Sequence, residues 1–107
     1  MPDSYPDQSE LLESVLEPLL EGFQYWFTLA RNLLESERIT LLSIQEQEEL
    51  LERVKKSQQE LMTAQLLFKT LGKQAGIDTS VLVPWHQLVA QCWQISRQWR
   101  AYKKNNP

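Results

Sequence analysis

Apolar residues recur three and four positions apart in three long stretches of this chain. That spacing lines one face of an α-helix with hydrophobic side chains, and such a face must be buried against another element. The first stretch carries Leu12, Leu16, Leu19, Phe23, Trp26, Ala30 and Leu33, widened by Leu11, Val15, Leu20, Phe27 and Leu34. Asp7, with Glu10 three residues on, comes close to a capping box at its start. Pro18 falls inside the stretch. An interior proline forfeits a backbone hydrogen bond and crowds the preceding turn. The apolar period nevertheless keeps phase across it, so the spacing predicts one helix, kinked at Pro18.

The segment "SERITLLS" breaks the period, with Arg38, Ile39 and Thr40 out of phase. Ser43 and Glu46 then form the S-x-x-E capping pattern that opens a second helix. Its expected inner face is Ile44, Leu51, Val54, Leu61, Ala64, Phe68 and Leu71, interrupted at Ser57 and Gln58, where thinner contact is expected. Gly72 or Gly76 offers a left-handed stop. Asp78, Thr79 and Ser80 are candidate caps for a third helix, in which Pro84 is tolerated near the first turn. Its seam is Leu82, Trp85, Val89, Cys92, Ser96 and Trp99, flanked by Leu88, Ile95 and Tyr102.

None of these helices can bury its apolar face alone, and the connections are short. The fold class expected is therefore all-α, an antiparallel up-down-up three-helix bundle. Its helices are expected at about 9–35, 44–72 and 80–102, with tails at 1–8 and 103–107. Charge placement agrees with that topology. The first 21 residues hold six acids and no base. They would lie beside Lys69 and Lys73, and the acidic start of the second helix (Glu46, Glu48, Glu49, Glu52) beside Arg97, Arg100, Lys103 and Lys104. At 107 residues the chain forms one domain, and its three glycines are too few for a fold of many strands and tight turns.

Several function classes fall away on composition. A net charge of −3 argues against a nucleic-acid binder, which presents a basic face. One cysteine makes no internal disulfide framework and fits a reducing, cytoplasmic setting. The start lacks the basic and apolar regions of a signal peptide, and no run approaches the roughly 20 apolar residues of a membrane span. The expectation is a soluble protein, with peripheral membrane contact left open.

The chemistry-bearing residues are sparse. Scattered glycines cannot build a phosphate loop. A structural zinc site needs about four Cys or His ligands, and the chain holds one of each. His86 and Cys92 stand six residues apart, so on a helix they point about 120° apart and cannot share a metal or act as a catalytic pair. The acids of "QEQEELLER" lie off the apolar face and read as a solvated surface, so no metal or other cofactor is expected and the chain is not expected to be an enzyme.

Four tryptophans remain to be placed. Trp85 and Trp99 sit on the third seam and Trp26 on the first stripe, all three expected in the core. Trp93 falls one residue past Cys92 and hence beside the seam. His86 lies two turns below it on the same side, with small Ala90 between and Arg97 above. This semi-polar aromatic side is a candidate interaction surface, since Trp and Arg anchor interfaces most often. The bland alternative is a boundary position that merely covers a neighbouring helix. Tyr25 points away from the stripe and is a further candidate contact.

The segments "LLESVLEPLLEGFQYWFTLARNLLE", "MTAQLLFK" and "GIDTSVLVPWHQLVAQCW" resemble a small cyanobacterial family of roughly this length, catalogued only as a domain of unknown function. The likeness spans about residues 10–99. It is carried best by Glu17-Pro18, Tyr25-Trp26-Phe27 and Pro84-Trp85-His86. The resemblance implies an all-helical domain in a cyanobacterial cytosol or a thylakoid-adjacent setting. It supplies no activity and no site residues.

The leading expectation is a non-enzymatic helical module, an assembly or regulatory factor. It would bind a protein partner through His86, Trp93 and Arg97, with Tyr25 contributing. Self-association is a variant that exposed Leu11, Leu20, Leu66 and Leu67 would favour. The alternative is a carrier or sensor of a hydrophobic cofactor such as a tetrapyrrole, with His86 as axial ligand.

Overall fold

The computed structural model describes residues 8–71 and 79–105, with side chains described over 14–71 and 80–105. Within them lie three long α-helices, α1 (Gln8–Ser36), α2 (Ile44–Leu71) and α3 (Leu82–Asn105). A 3-10 turn, Thr79–Val81, leads into α3. No strand occurs among the described residues. The chain is a three-helix bundle in which α1 packs against both α2 and α3. A single helix runs through Pro18.

The start of α2 is fixed by local chemistry. The Ser43 N–H donates to Glu46 Oε1 at 2.7 Å, and the Glu46 N–H donates to Ser43 Oγ at 3.0 Å. These two bonds satisfy donors that the first turn of a helix leaves open. The caps expected at Asp7, Gly72, Gly76 and Asp78 lie outside the described residues, as do Lys73 and the side chains of Glu10, Leu11 and Leu12.

The core runs between the helices as one cluster. Leu20, Phe23, Phe27 and Leu34 of α1 pack with Leu50, Val54 and Leu61 of α2 and with Trp85, Leu88 and Trp99 of α3. Each such side chain fully buried contributes about 1.5–3 kcal/mol. The Phe23 ring meets Phe27 at 6.1 Å and the edge of Trp85 at 5.8 Å. Polar contacts fix the register. Leu34 of α1 meets Gln47 near the start of α2, whereas Thr28 and Arg31 meet Gln58, three turns further along. On the other side, Phe23 meets Trp85 near the start of α3, and Glu37 meets Trp99 and Lys103 near its end.

Four expectations are corrected here. The line of α1 turned to the core is Leu16, Leu20, Phe23, Phe27 and Leu34, whereas Val15, Leu19 and Trp26 are exposed. Both lines have helical spacing, and the neighbours of α1 cover the one through Leu20 and Phe27. At the ends of α2, Ile44 (65% exposed) and Leu71 face outward, and Leu50 takes the inner place. The interruption at Gln58 is a buried tie, donating to Thr28 Oγ1 and accepting from Arg31. Finally, Ile39 of the out-of-phase loop is 0% exposed and belongs to the core.

Smaller differences follow from the same packing. Helix α3 continues to Asn105, past the expected tail boundary at 103. Of the leucines named for self-association, Leu20 is buried while Leu66 and Leu67 are exposed. The basic end of α3 reaches the connection after α1, where Lys103 pairs with Glu37.

Candidate interaction surface

Helix α1 carries more apolar surface than α2 and the core consume. The surplus falls on the side turned toward α3. Tyr25 and Trp26 are neighbours in sequence, and their rings meet edge to face at 5.3 Å. Trp26 then meets Trp93 of α3 edge to face, with centroids 6.4 Å apart. The Arg97 guanidinium lies 5.5 Å from the centre of the Trp93 ring. One residue from α1 and one from α3 thus bridge the two helices, and a third ring and a cation extend the row at either end. Tyr25 is 59%, Trp26 39% and Trp93 49% exposed. Edge-to-face pairs and cation–ring contacts hold such side chains in place while leaving them open.

Next to this row, residues of α1 and α3 line a groove of about 620 Å³. Leu29, Ala30 and Leu33 form its α1 wall, and Val89, Cys92 and Ser96 part of its α3 wall. Leu50 of α2 also contributes. At the far end stand Trp99, Glu37 and Lys103. The Trp99 indole N–H donates to Glu37 Oε1 at 3.1 Å, and Lys103 Nζ donates to the same oxygen at 2.6 Å. The bond from Lys103, then that from Trp99, holds the Glu37 carboxyl below the usual carboxylate range. Burial pushes the Cys92 thiol up to about 11, so it stays protonated at neutral pH and behaves as a small apolar residue.

The expected site residues divide accordingly. The structure brings Tyr25, Trp93 and Arg97 into one continuous row, and Trp85 and Trp99 are in the core as expected. His86 is exposed and does not line the groove. Trp26 is the residue missed. Its place on an apolar stripe suggested the core, yet it links Tyr25 to Trp93 at the surface. The available signal was that α1 has two apolar lines side by side, more than one contact can bury. Among the described residues no three His, Cys, Asp or Glu side chains gather as a metal would require. Among them, too, no helix is long and apolar enough to cross a membrane.

The chain belongs to a family described as "Protein of unknown function (DUF2605)", whose model matches residues 6–101. No curated protein and no solved structure matches it.

Proposed function

We propose that this chain is a non-enzymatic protein-interaction module, an assembly or regulatory factor that engages a protein partner at the row Tyr25, Trp26, Trp93 and Arg97. The observation that carries it is the continuity of that row across two helices while its rings stay exposed. Aromatic and arginine side chains supply most interface energy, and a patch of this kind on a small domain marks a contact surface. The protonated Cys92, facing the groove, supports a binding role over a nucleophilic one. His86 lies beyond the row as a peripheral contact. The family resemblance in the sequence points to a cyanobacterial cytosol or a thylakoid-adjacent site of action.

Affinity capture with the intact chain as bait tests this. Trp93→Ala is expected to reduce the recovered partner at least fivefold, with a melting temperature within a few degrees of the parent. A large fall in melting temperature would make Trp93 a core residue and remove the surface. A second reading, a carrier or sensor of a hydrophobic cofactor such as a tetrapyrrole, draws on the size of the groove. About 620 Å³ lies within the 300–1,000 Å³ range of small-molecule sites. Adding haem and recording the absorption spectrum decides it. A Soret shift that survives His86→Ala would favour a ligand held in the groove, which His86 does not line. A shift lost in that variant would place the ligand on His86 outside the groove, and an unchanged spectrum would sink the reading.

A further inference from the structure

We infer that the groove between α1 and α3 receives an acidic amphipathic helix of the partner protein. This rests on the interaction reading above and names the kind of partner. The groove runs from Trp26 to Glu37, eleven residues along the chain. At a helical rise of 1.5 Å per residue that is about 16 Å, or three turns of a docked helix. Its walls are leucine, valine and tryptophan, the surface into which a helix inserts side chains spaced i, i+4 and i+7.

Charge selects the occupant. Helix α3 contains four bases and no acid from Leu82 to Asn105. Arg100 and Lys103 line the groove, and Arg97, outside the lining, lies over the ring of Trp93, which is part of it. The α1 wall offers no counter-charge, being Trp26, Leu29, Ala30 and Leu33. Glu37 is the one acid in the lining, and Lys103 and Trp99 already engage it. Among the described residues neither Arg97 nor Arg100 has a carboxylate partner. In a chain of net charge −3 this basic rim around an apolar floor is a local inversion. It complements a helix whose apolar stripe is edged with Asp and Glu.

Two other occupants fit less well. A flat anionic bilayer meets the arginines, the outer rings and exposed Leu29, but it leaves the half-buried Leu33, Val89 and Cys92 inside the groove uncovered. A second copy would offer exposed Leu66 and Leu67 of α2, where Lys69 stands one turn from Leu66 and would meet the arginines with like charge, or the exposed stripe Val15 and Leu19 of α1. The nearby acids Glu17 and Glu21 stand two residues from those positions, about 200° round the helix, and so lie opposite the stripe.

The test uses two synthetic 15-residue helical peptides with identical leucine stripes, one edged with Glu and one with Lys. Each is titrated into the isotope-labelled full chain. The indole N–H signals of Trp26 and Trp93 and the amides of Leu29 and Leu33 are followed by NMR. The Glu-edged peptide is expected to shift these signals at a concentration at least tenfold lower than the Lys-edged one, less so at high salt. The double variant R97E/R100E is expected to abolish or reverse that preference. Should it fail to fold, the neutral R97Q/R100Q serves, with loss of the preference expected. Equal binding of both peptides, or shifts away from the groove, would overturn the inference. So would movement of the same signals by phosphatidylserine–phosphatidylcholine vesicles while both peptides stay inert, or by self-dilution of the chain alone. Partner capture separates this inference from the one it rests on. If Trp93→Ala lowers capture and Arg100→Glu, a change in the groove but outside the row, does not, the interaction surface stands and the acidic helix falls.

Discussion

Gln47 sits almost wholly buried, and its side chain makes four hydrogen bonds. Its Nε2 donates to the carbonyls of Leu34 and Glu37, at 3.0 and 2.7 Å, and its Oε1 accepts from the Ile39 N–H and from Arg38. The last carbonyls of a helix have no partner within it, so a side chain of α2 closes the end of α1. Arg38 adds bonds to the carbonyls of Ile39 and Leu42, which fixes the turn that carries Ile39 into the core. Replacing Gln47 with Ala would strand several of these groups away from water. Gln47→Ala is expected to lower unfolding free energy in urea by about 2–3 kcal/mol. Gln45→Ala, on the exposed side, should stay within about 0.5 kcal/mol. Equal effects would mean that the buried bonds contribute nothing particular. These residues were the least legible in the sequence. A buried glutamine and an exposed one have the same letter, and Ile39 enters the core from a loop, where no period exists to be read. The hint that was present is that Gln47, Leu50, Val54, Gln58 and Leu61 themselves follow three- and four-residue spacing, with polar residues at two of the five places.

Whole helices were far more legible than their inner faces. The start of α2 was readable because its capping box is a contact between residues three apart, settled without any knowledge of the fold. The length of each helix followed from its period. Which line of α1 points inward did not follow, because α1 has an apolar arc wide enough for two lines. Geometry within one helix relates the lines to each other but is silent about where its neighbours sit. Leu19 and Leu20 make the distinction measurable. Leu20 is buried in the core cluster, whereas Leu19 is exposed on the line that continues to Trp26. Leu20→Ala is expected to cost about 2–4 kcal/mol by chemical denaturation, and Leu19→Ala less than about 1 kcal/mol. The reverse order would return the core to the line first expected. The same ambiguity hid half of the candidate surface. Tyr25, Trp93 and Arg97 were identifiable from their offset to a seam. Trp26 was not, since a tryptophan on an apolar stripe is core or rim according to what covers it.

At the scale of the molecule, the bundle is closed at one end by a link between distant parts of the chain. Glu37, just past α1, accepts from Trp99 and Lys103, which lie 62 and 66 residues away. Lys103 also lies 5.7 Å from the Trp99 ring, so carboxylate, ammonium and indole share one contact. A buried indole N–H needs an acceptor, and here the acceptor is a charged one. Because both donors favour the ionised carboxylate, its folded value lies below the ordinary 4.5. Between the two values the unfolded chain binds more protons than the folded one, so stability rises with pH there. The contribution is complete above the unfolded carboxylate's range and is lost as pH falls through the folded value. Glu37→Gln keeps an oxygen for the Trp99 N–H but discards the charge. The variant is therefore expected to melt below the parent at pH 7. The gap should narrow steadily on acidification below about pH 4.5 and shrink in concentrated salt, because the pair is partly exposed. Melting curves of both proteins from pH 7 to pH 3 check this. A gap that holds its size at pH 3 would place the effect of Glu37 in packing and would detach the end of α3 from electrostatic control. Loss of the contact at low pH would also free Lys103 at the end of the groove, so the same titration reports how firmly its far wall is held.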